Sequence, residues 1–294
     1  MASRHGGGEP RPAGGMDPGG RSMTEKLAVK LPAAFISHGA PTIALEEQGG
    51  FAQALRAFGA TVPRPRAVAV VSAHWTERNG SAVTVSARPP TVHDFGGFPE
   101  ALYRLRYPAP GAPDVARSAA ELLEGAGFPT ALDPERGLDH GAWVPLRFLF
   151  PDAAVPVFQI ALPDSLEPSG LYRFGAALAP LREEGVLLLG TGGVVHNLGR
   201  VRFDAGGGPP DAWAAAFDAW IAERVQRLDR DGLARWREAP HALLAAPSSE
   251  HLDPLLAVVG AAGPDETVST LFEGFTYGTL SMRSIRIDPR ASNA

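Results

Sequence analysis

The sequence predicts one α/β domain: a central, mostly parallel sheet covered by helices on both faces, with a metal site at the carboxyl ends of the strands. Three observations predict it. Short apolar runs without polar alternation read as strands buried on both faces. Runs with helical spacing, several closed by glycine, lie between them. Three of the strands lead into a histidine, "FISH" at His38, "VVSAH" at His74 and "GTGGVVH" at His196, and open α/β sheets bind ligands beyond the carboxyl ends of their strands.

The elements follow in chain order. Residues 1–28 are rich in Gly and Pro and lack an apolar core, so they read as a disordered extension rather than a secretory signal. The domain is expected over 29–290. "AAFIS" (33–37) is a buried strand ending at His38-Gly39, and "GGFAQALRAFGA" is helical. "AVAVVS" (67–72) is a second strand, ending at Ala73-His74-Trp75. "DVARSAAELLEGAG" is a helix with a glycine stop, and "WVPLRFLF" a short apolar helix before the strand "VPVFQIAL" (155–162). "LYRFGAALAPLREEG" is an amphipathic helix, and "VLLLGTG" (186–192) the next strand. "DAWAAAFDAWIAERVQRL" and "LDPLLAVVGAAG" are helices, and "TVSTLF" and "LSMRSIRI" close the chain as strands. No linker-like composition and no internal repeat interrupts them.

Composition narrows the function. The chain has 294 residues, 45% of them hydrophobic and 20% charged, enough for a sizeable core. A net charge of −5 with scattered arginines predicts no nucleic-acid or membrane partner. No apolar run approaches the ~20 residues of a membrane span, so a cytoplasmic protein, monomeric or homo-oligomeric, is expected. There is no cysteine, which excludes disulfides, thiolate zinc sites, iron–sulfur clusters and cysteine nucleophiles. A transition-metal site must use histidine and carboxylate.

Of the eight histidines, His5 lies in the extension and His241, in "EAPHALLAAP", reads as structural. In "SHGAP", Gly39 and Pro41 turn the chain directly after the strand, so His38 projects from the sheet edge or caps the next segment. In "SAHW", small residues leave room beside His74, and Trp75 offers a dry wall. In "SSEHLDPLL", Ser248 or Ser249 can cap a helix, placing Glu250 and His251 near its first turn. In "GLDHGAW", Asp139 either orients the His140 ring or caps the helix after it. His93, in "TVHDFGGFPEALYRL", suggests a pocket wall. No HExxH, GxGxxG, Walker or G-x-S-x-G motif is present; the joint pattern carries the reading.

Three neutral imidazoles on one divalent ion leave its charge uncompensated. Such a site attracts a dianion and lowers the pKa of a coordinated hydroxyl. A catechol fits that description, and so does a carbonyl or ester with activated water. Histidines beyond three favour the catechol, because imidazole can both take and return a phenolic proton.

The segments "FISHGAPTIALEE", "VVSAHW", "TVHDFGGFPEALYRLRYPAPG", "LDHGAWVPLRFLFPDA", "GTGGVVHNL", "SEHLDPLLAVVGAAG" and "FEGFTYGTLSMRS" span residues 33 to 286. On them the chain resembles the class III extradiol ring-cleavage dioxygenases, the family sharing the catalytic subunit fold of protocatechuate 4,5-dioxygenase. It is most similar to the 4,5-DOPA-extradiol branch. The resemblance implies a non-haem Fe(II) site that binds catechol and O₂ and opens the ring to a muconic semialdehyde, with zinc as an alternative occupant. His38 and His74 match the first two ligands. The third is a glutamate in the distant branch; in the DOPA-type branch His251 stands there, with Glu250 beside it. His196 matches a histidine next to the metal, read either as a further ligand or as the acid/base. His140 matches a pocket histidine contacting substrate or oxygen, and Asn197 is read as fixing the His196 ring or the loop.

His93, Trp75, Phe95 and Tyr277 are expected around the substrate, and His93 or Arg147 at a substrate carboxylate. Two other readings share the scaffold. One is a zinc-dependent hydrolase, with Glu250 or Asp139 as general base. The other is a non-enzymatic metal-binding protein like the Memo family, favoured if the pocket has no room for a ring.

Overall fold

The computed structural model describes residues 30–202 and 208–290. The expected extension at 1–28, with His5, lies outside the described residues.

In chain order the elements are β1 (Ala33–Ser37), α1 (Gly50–Thr61), β2 (Ala67–Glu77), β3 (Ser81–Thr84), α2 (Glu100–Arg104), α3 (Pro113–Gly125), β4 (Thr130–Asp133), α4 (His140–Leu149), β5 (Val157–Pro163), α5 (Pro168–Glu183), β6 (Val186–Gly192), α6 (Ala212–Gln226), α7 (Arg230–Ala234), α8 (Ala242–Ala245), α9 (Asp253–Gly260), β7 (Thr267–Phe272), β8 (Phe275–Thr276), β9 (Leu280–Ser281) and β10 (Ser284–Asp288). The main sheet has the order β4-β3-β5-β2-β6-β1-β10-β7. Its centre, β5-β2-β6-β1, is parallel. β10 and β7 add antiparallel at one side, and β3 pairs antiparallel with β5 at the other.

The strands alternate between two apolar layers rather than between core and water. Phe35, Ala69, Val71 and Leu188 face the layer formed with α3, α5, α6 and α9. Ala34, Ile36, Val70 and Leu189 face the layer formed with α1 and α4. Both faces are covered, so every second position is apolar on each side and the strands read as unbroken hydrophobic runs. Each fully buried Leu, Ile or Phe contributes about 2 kcal/mol by leaving water. The helices on the first layer approach closely: a Cβ at Gly175 of α5 would lie 1.7 Å from the Ala257 carbonyl oxygen of α9, so only glycine fits that crossing.

Two expectations about the strands need correction. β2 does not end at Ser72. It runs on to Glu77, with Val71 opposite Ile160 but Thr76 opposite Leu162, so residues between them bulge out of the ladder and His74 sits on the strand itself. "LSMRSIRI" is not one strand. It breaks between β9 and β10 at Met282-Arg283, where the Arg283 guanidinium pairs with Asp218 and its carbonyl accepts from Ser37 Oγ. β3 and β4, each four residues long, carry too little pattern to be read from sequence.

Candidate metal centre

The register brings the histidines together. Ser37 of β1 pairs with Gly192 of β6, and Ser72 of β2 pairs with Thr191, so these residues lie level across the three strands while β2 runs on past them. His38 follows β1 directly, in a turn made possible by Gly39 at φ +65°. His38 N–H donates to the Gly192 carbonyl (3.1 Å), and Gly193 N–H donates to the His251 carbonyl (2.8 Å). A Cβ on Gly192 would stand 2.1 Å from that same His251 oxygen. The glycine pair after β6 therefore seats His251 as well as leading the chain to His196. His251 lies in the turn before α9, not in its first turn, and Ser249 bonds Asp253 (3.0 Å) without capping the helix.

Five imidazoles converge. His38 Nε2 and His74 Nε2 are 3.1 Å apart. The ring nitrogens of His38, His74 and His140 fall within 4.8 Å of one another, and those of His196 and His251 with a Glu250 oxygen form a second such group. The groups adjoin: the His74 and His251 centroids are 5.0 Å apart. His38 Nδ1–H donates to the Gly39 carbonyl (2.9 Å), which leaves the lone pair on Nε2. His251 Nε2 is buried without a hydrogen-bond partner among the described residues. A neutral imidazole lone pair aimed at its neighbours, beside an orphaned buried ring nitrogen, is what a first-row divalent ion satisfies. In a tetrahedral site the ligand nitrogens lie about 3.3 Å apart. The donor set fits such an ion.

Electrostatics keep the cluster ready to bind. Burial, then the neighbouring His74, His140 and His251, hold His38 well below the usual imidazole range. Burial and the same kind of crowding lower His74 to about 2, and burial with His251 lowers His196 to about 3. Their lone pairs stay free. Glu250 is held at about 2, first by its contact with His251 and against the pull of burial. Against burial, the hydrogen bond from His140 lowers Asp94 to about 2.

Asp139 caps α4 by accepting from Ala142 N–H (3.2 Å), so it orients the helix carrying His140 and not the ring. Its buried carboxylate also accepts from Ser72 Oγ (2.8 Å), Gln159 Nε2 (2.7 Å) and Arg136 Nη2 (3.2 Å). Ser72 Oγ in turn accepts from His74 N–H (3.2 Å). One buried acid thus ties the start of α4 to the bulge of β2. The His140 ring is held by Asp94, whose signal lay in the sequence as the carboxylate beside His93. Asn197 fixes the loop: its Nδ2 donates to the Leu244 carbonyl (2.7 Å) and its Oδ1 accepts from Gly199 N–H (3.0 Å).

A cavity of about 470 Å³ opens over the five rings, walled by Pro41, Phe95, Phe98, Leu198, Tyr277 and Leu280. The Tyr277 hydroxyl hydrogen-bonds Thr42 Oγ1 (3.0 Å). Two expected wall residues are elsewhere. Trp75 packs against Ala82 and Ala161 under the Arg136 guanidinium, because alternation along β2 points it away from His74. His93 donates from Nε2 to the Leu105 carbonyl (3.1 Å) and stands behind Phe95. Arg147 pairs with Glu47 (2.6 Å) and does not line the cavity. His241, at φ 59°, precedes α8 and does not line the cavity.

An α/β sheet with five imidazoles gathered beneath an aromatic-walled pocket presents a candidate histidine metal site. The model for the catalytic LigB subunit of aromatic ring-opening dioxygenase matches residues 32–284, and the chain belongs to that family. It is an oxidoreductase of the extradiol ring-cleaving dioxygenase class. It is 39% identical to the 4,5-DOPA dioxygenase extradiol of Escherichia coli K12, over 88% of this chain and 96% of the relative. The protein of the same name from Beta vulgaris is 36% identical, over 86% and 94%. The crystal structure of an uncharacterised Escherichia coli K12 protein matches with a TM-score of 0.74 at 34% identity, covering 88% of this chain and 100% of the other.

Proposed function

We propose that the protein is a non-haem Fe(II)-dependent dioxygenase that opens a small, DOPA-like catechol by 4,5-extradiol cleavage to a muconic semialdehyde. The observation that carries this reading is the meeting of His38 Nε2 and His74 Nε2 at 3.1 Å beside the orphaned His251 Nε2, beneath a ring-sized cavity. His38, His74 and His251 would hold the metal, with His196 adjacent. Bound iron supplies the one-electron chemistry that lets a catecholate react with O₂; zinc fits the same imidazoles but has no such redox change.

The chain's own groups do the rest. Phe95, Phe98 and Leu198 hold the aromatic ring and exclude water from the rings below. His196 and His140 line the cavity and stand within reach of phenolic hydroxyls, as the bases that remove a proton and return it. Glu250, held near 2, is a poor proton acceptor at neutral pH, and Asp139 is buried in its cap. Both facts count against the hydrolase reading, and the cavity's volume counts against a purely metal-binding role.

Anaerobic loading of metal-free protein with Fe(II), followed by L-DOPA, caffeate or protocatechuate in air, tests the proposal. The expected result is a yellow ring-opened product with iron, none with zinc, and loss of product in His196→Ala. Tight metal binding without product from any catechol would overturn it.

A further inference from the structure

One carboxylate in the cavity was not assigned a role by the sequence. Asp94 Oδ1 accepts from the His140 backbone N–H (2.9 Å) and from His140 Nδ1 (3.0 Å), and its Oδ2 lies 3.8 Å from His74 Nδ1. Taking both the backbone and the ring of one residue on a single oxygen fixes the ring relative to its own main chain. The segment bearing Asp94 is itself fastened to α4. Val92 N–H donates to the Leu138 carbonyl (2.8 Å), Leu138 N–H to the Pro90 carbonyl (2.8 Å) and Trp143 Nε1 to the Val92 carbonyl (2.9 Å). His196 is held differently, stacked on His251 with centroids 3.4 Å apart.

We propose that Asp94 is a positioning residue for proton transfer: it fixes His140 as the Nδ1–H tautomer, leaving Nε2 to take and return the substrate's proton. This rests on the catechol reading above. In the step, the phenolic O–H bond breaks, its electron pair stays on oxygen, and the proton passes to His140 Nε2. The imidazolium keeps its Nδ1–H on Asp94, whose negative charge stabilises it, and the proton later returns from Nε2 to a product oxygen. A carboxylate acceptor on Nδ1 favours this tautomer because a neutral ring carries one N–H, and the stronger acceptor claims it.

The test has two arms. In zinc-loaded protein with ¹⁵N-labelled histidine, long-range correlation spectra read the His140 tautomer directly, independently of catalysis. The wild type and Asp94→Asn should show Nδ1–H, since the amide oxygen still accepts, and Asp94→Ala should lose it. In iron-loaded protein, Asp94→Ala should lower kcat by about 100-fold while KM and metal content change by less than about threefold; Asp94→Asn should fall between, and Asp94→Glu should recover part of the loss. An Nε2–H wild-type ring, an unchanged kcat in Asp94→Ala, or metal content falling in step with kcat would each overturn the proposal. A wild-type enzyme that shows the Nδ1–H ring yet cleaves no catechol overturns the dioxygenase reading instead.

Discussion

The His196 ring lies 3.4 Å from that of His251 and only 8° from parallel. Face-to-face contact between imidazoles is tolerable when at least one is neutral, because two imidazolium rings at that distance repel strongly. The stack joins the loop after β6 to the turn before α9, so the two histidines cannot be repositioned independently. They nevertheless have different tasks in the proposed enzyme, and this separates their mutants.

His251→Ala removes the buried, unpartnered Nε2. Loss of one imidazole ligand should weaken Zn(II) or Fe(II) binding by at least about 100-fold. His196→Ala should weaken it by less than about 10-fold while abolishing product formation. Competition with a chromophoric chelator, beside turnover, distinguishes them. Equal losses of affinity would make His196 a ligand of the same rank.

Metal-free protein should lose stability as the pH falls below about 6.5, the free-imidazole value. The folded-state values of His38, His74 and His196 are depressed. Between about 3 and 6.5 the unfolded chain therefore binds protons that the folded chain does not, and ΔG of unfolding rises with pH. Asp94 and Glu250, both near 2 when folded, act in the same direction at the acid end. Asp253, raised to about 7 by burial, binds its proton in the folded state and opposes them over about pH 4 to 7. Three histidines outweigh one acid. Thermal melts from pH 7 to 5 should show Tm falling, and a flat or rising Tm would contradict the sign.

Asp139→Ala should be costly far beyond a lost helix cap. It strips a partner from Ser72, Gln159 and Arg136 together, leaving buried polar groups unpaired. The expected loss is about 3 kcal/mol, or about 5 °C in Tm for a chain of this size. Metal affinity should fall as well, because Ser72 anchors the His74 backbone. Calorimetry and metal titration on one sample check both.

The charged residues lining the cavity, Asp94 and Glu250, are both acidic, and no lysine or arginine lines it among the described residues. A catechol with a carboxylate on the ring should therefore be a poorer substrate than 4-methylcatechol by about 10-fold in kcat/KM, and Glu250→Gln should narrow the gap. A steady-state comparison of protocatechuate with 4-methylcatechol measures it. Equal or better turnover of the carboxylated compound would refute the expectation.

Much of this was legible in the sequence because it depends on local pattern. Unbroken apolar runs such as "AVAVVS" mark strands covered on both faces, and glycine-stopped amphipathic runs mark the helices over them. His38, His74 and His196 could be placed at one sheet edge from their position after such runs, and His140 and His251 through family resemblance. Short strands such as β3 carried no signal. Trp75 leaves the cavity because β2 continues past Ser72 to Glu77, so alternation points it away from His74; that continuation depends on pairing with β5, which local pattern does not show.

The sequence by itself determined which side chains are available: five cavity histidines, no cysteine, and strands that deliver rings to a common edge. Only the tertiary structure decided how they are used. The Nε2–Nε2 approach of His38 and His74, the docking of His251 on the Gly192-Gly193 peptide, and the capture of His140 by Asp94 each join segments distant in the chain. Their geometry is set by strand register and by burial that removes water as a competing partner. Neither is a property of any local stretch of sequence, so the site's chemistry is decided where the elements meet.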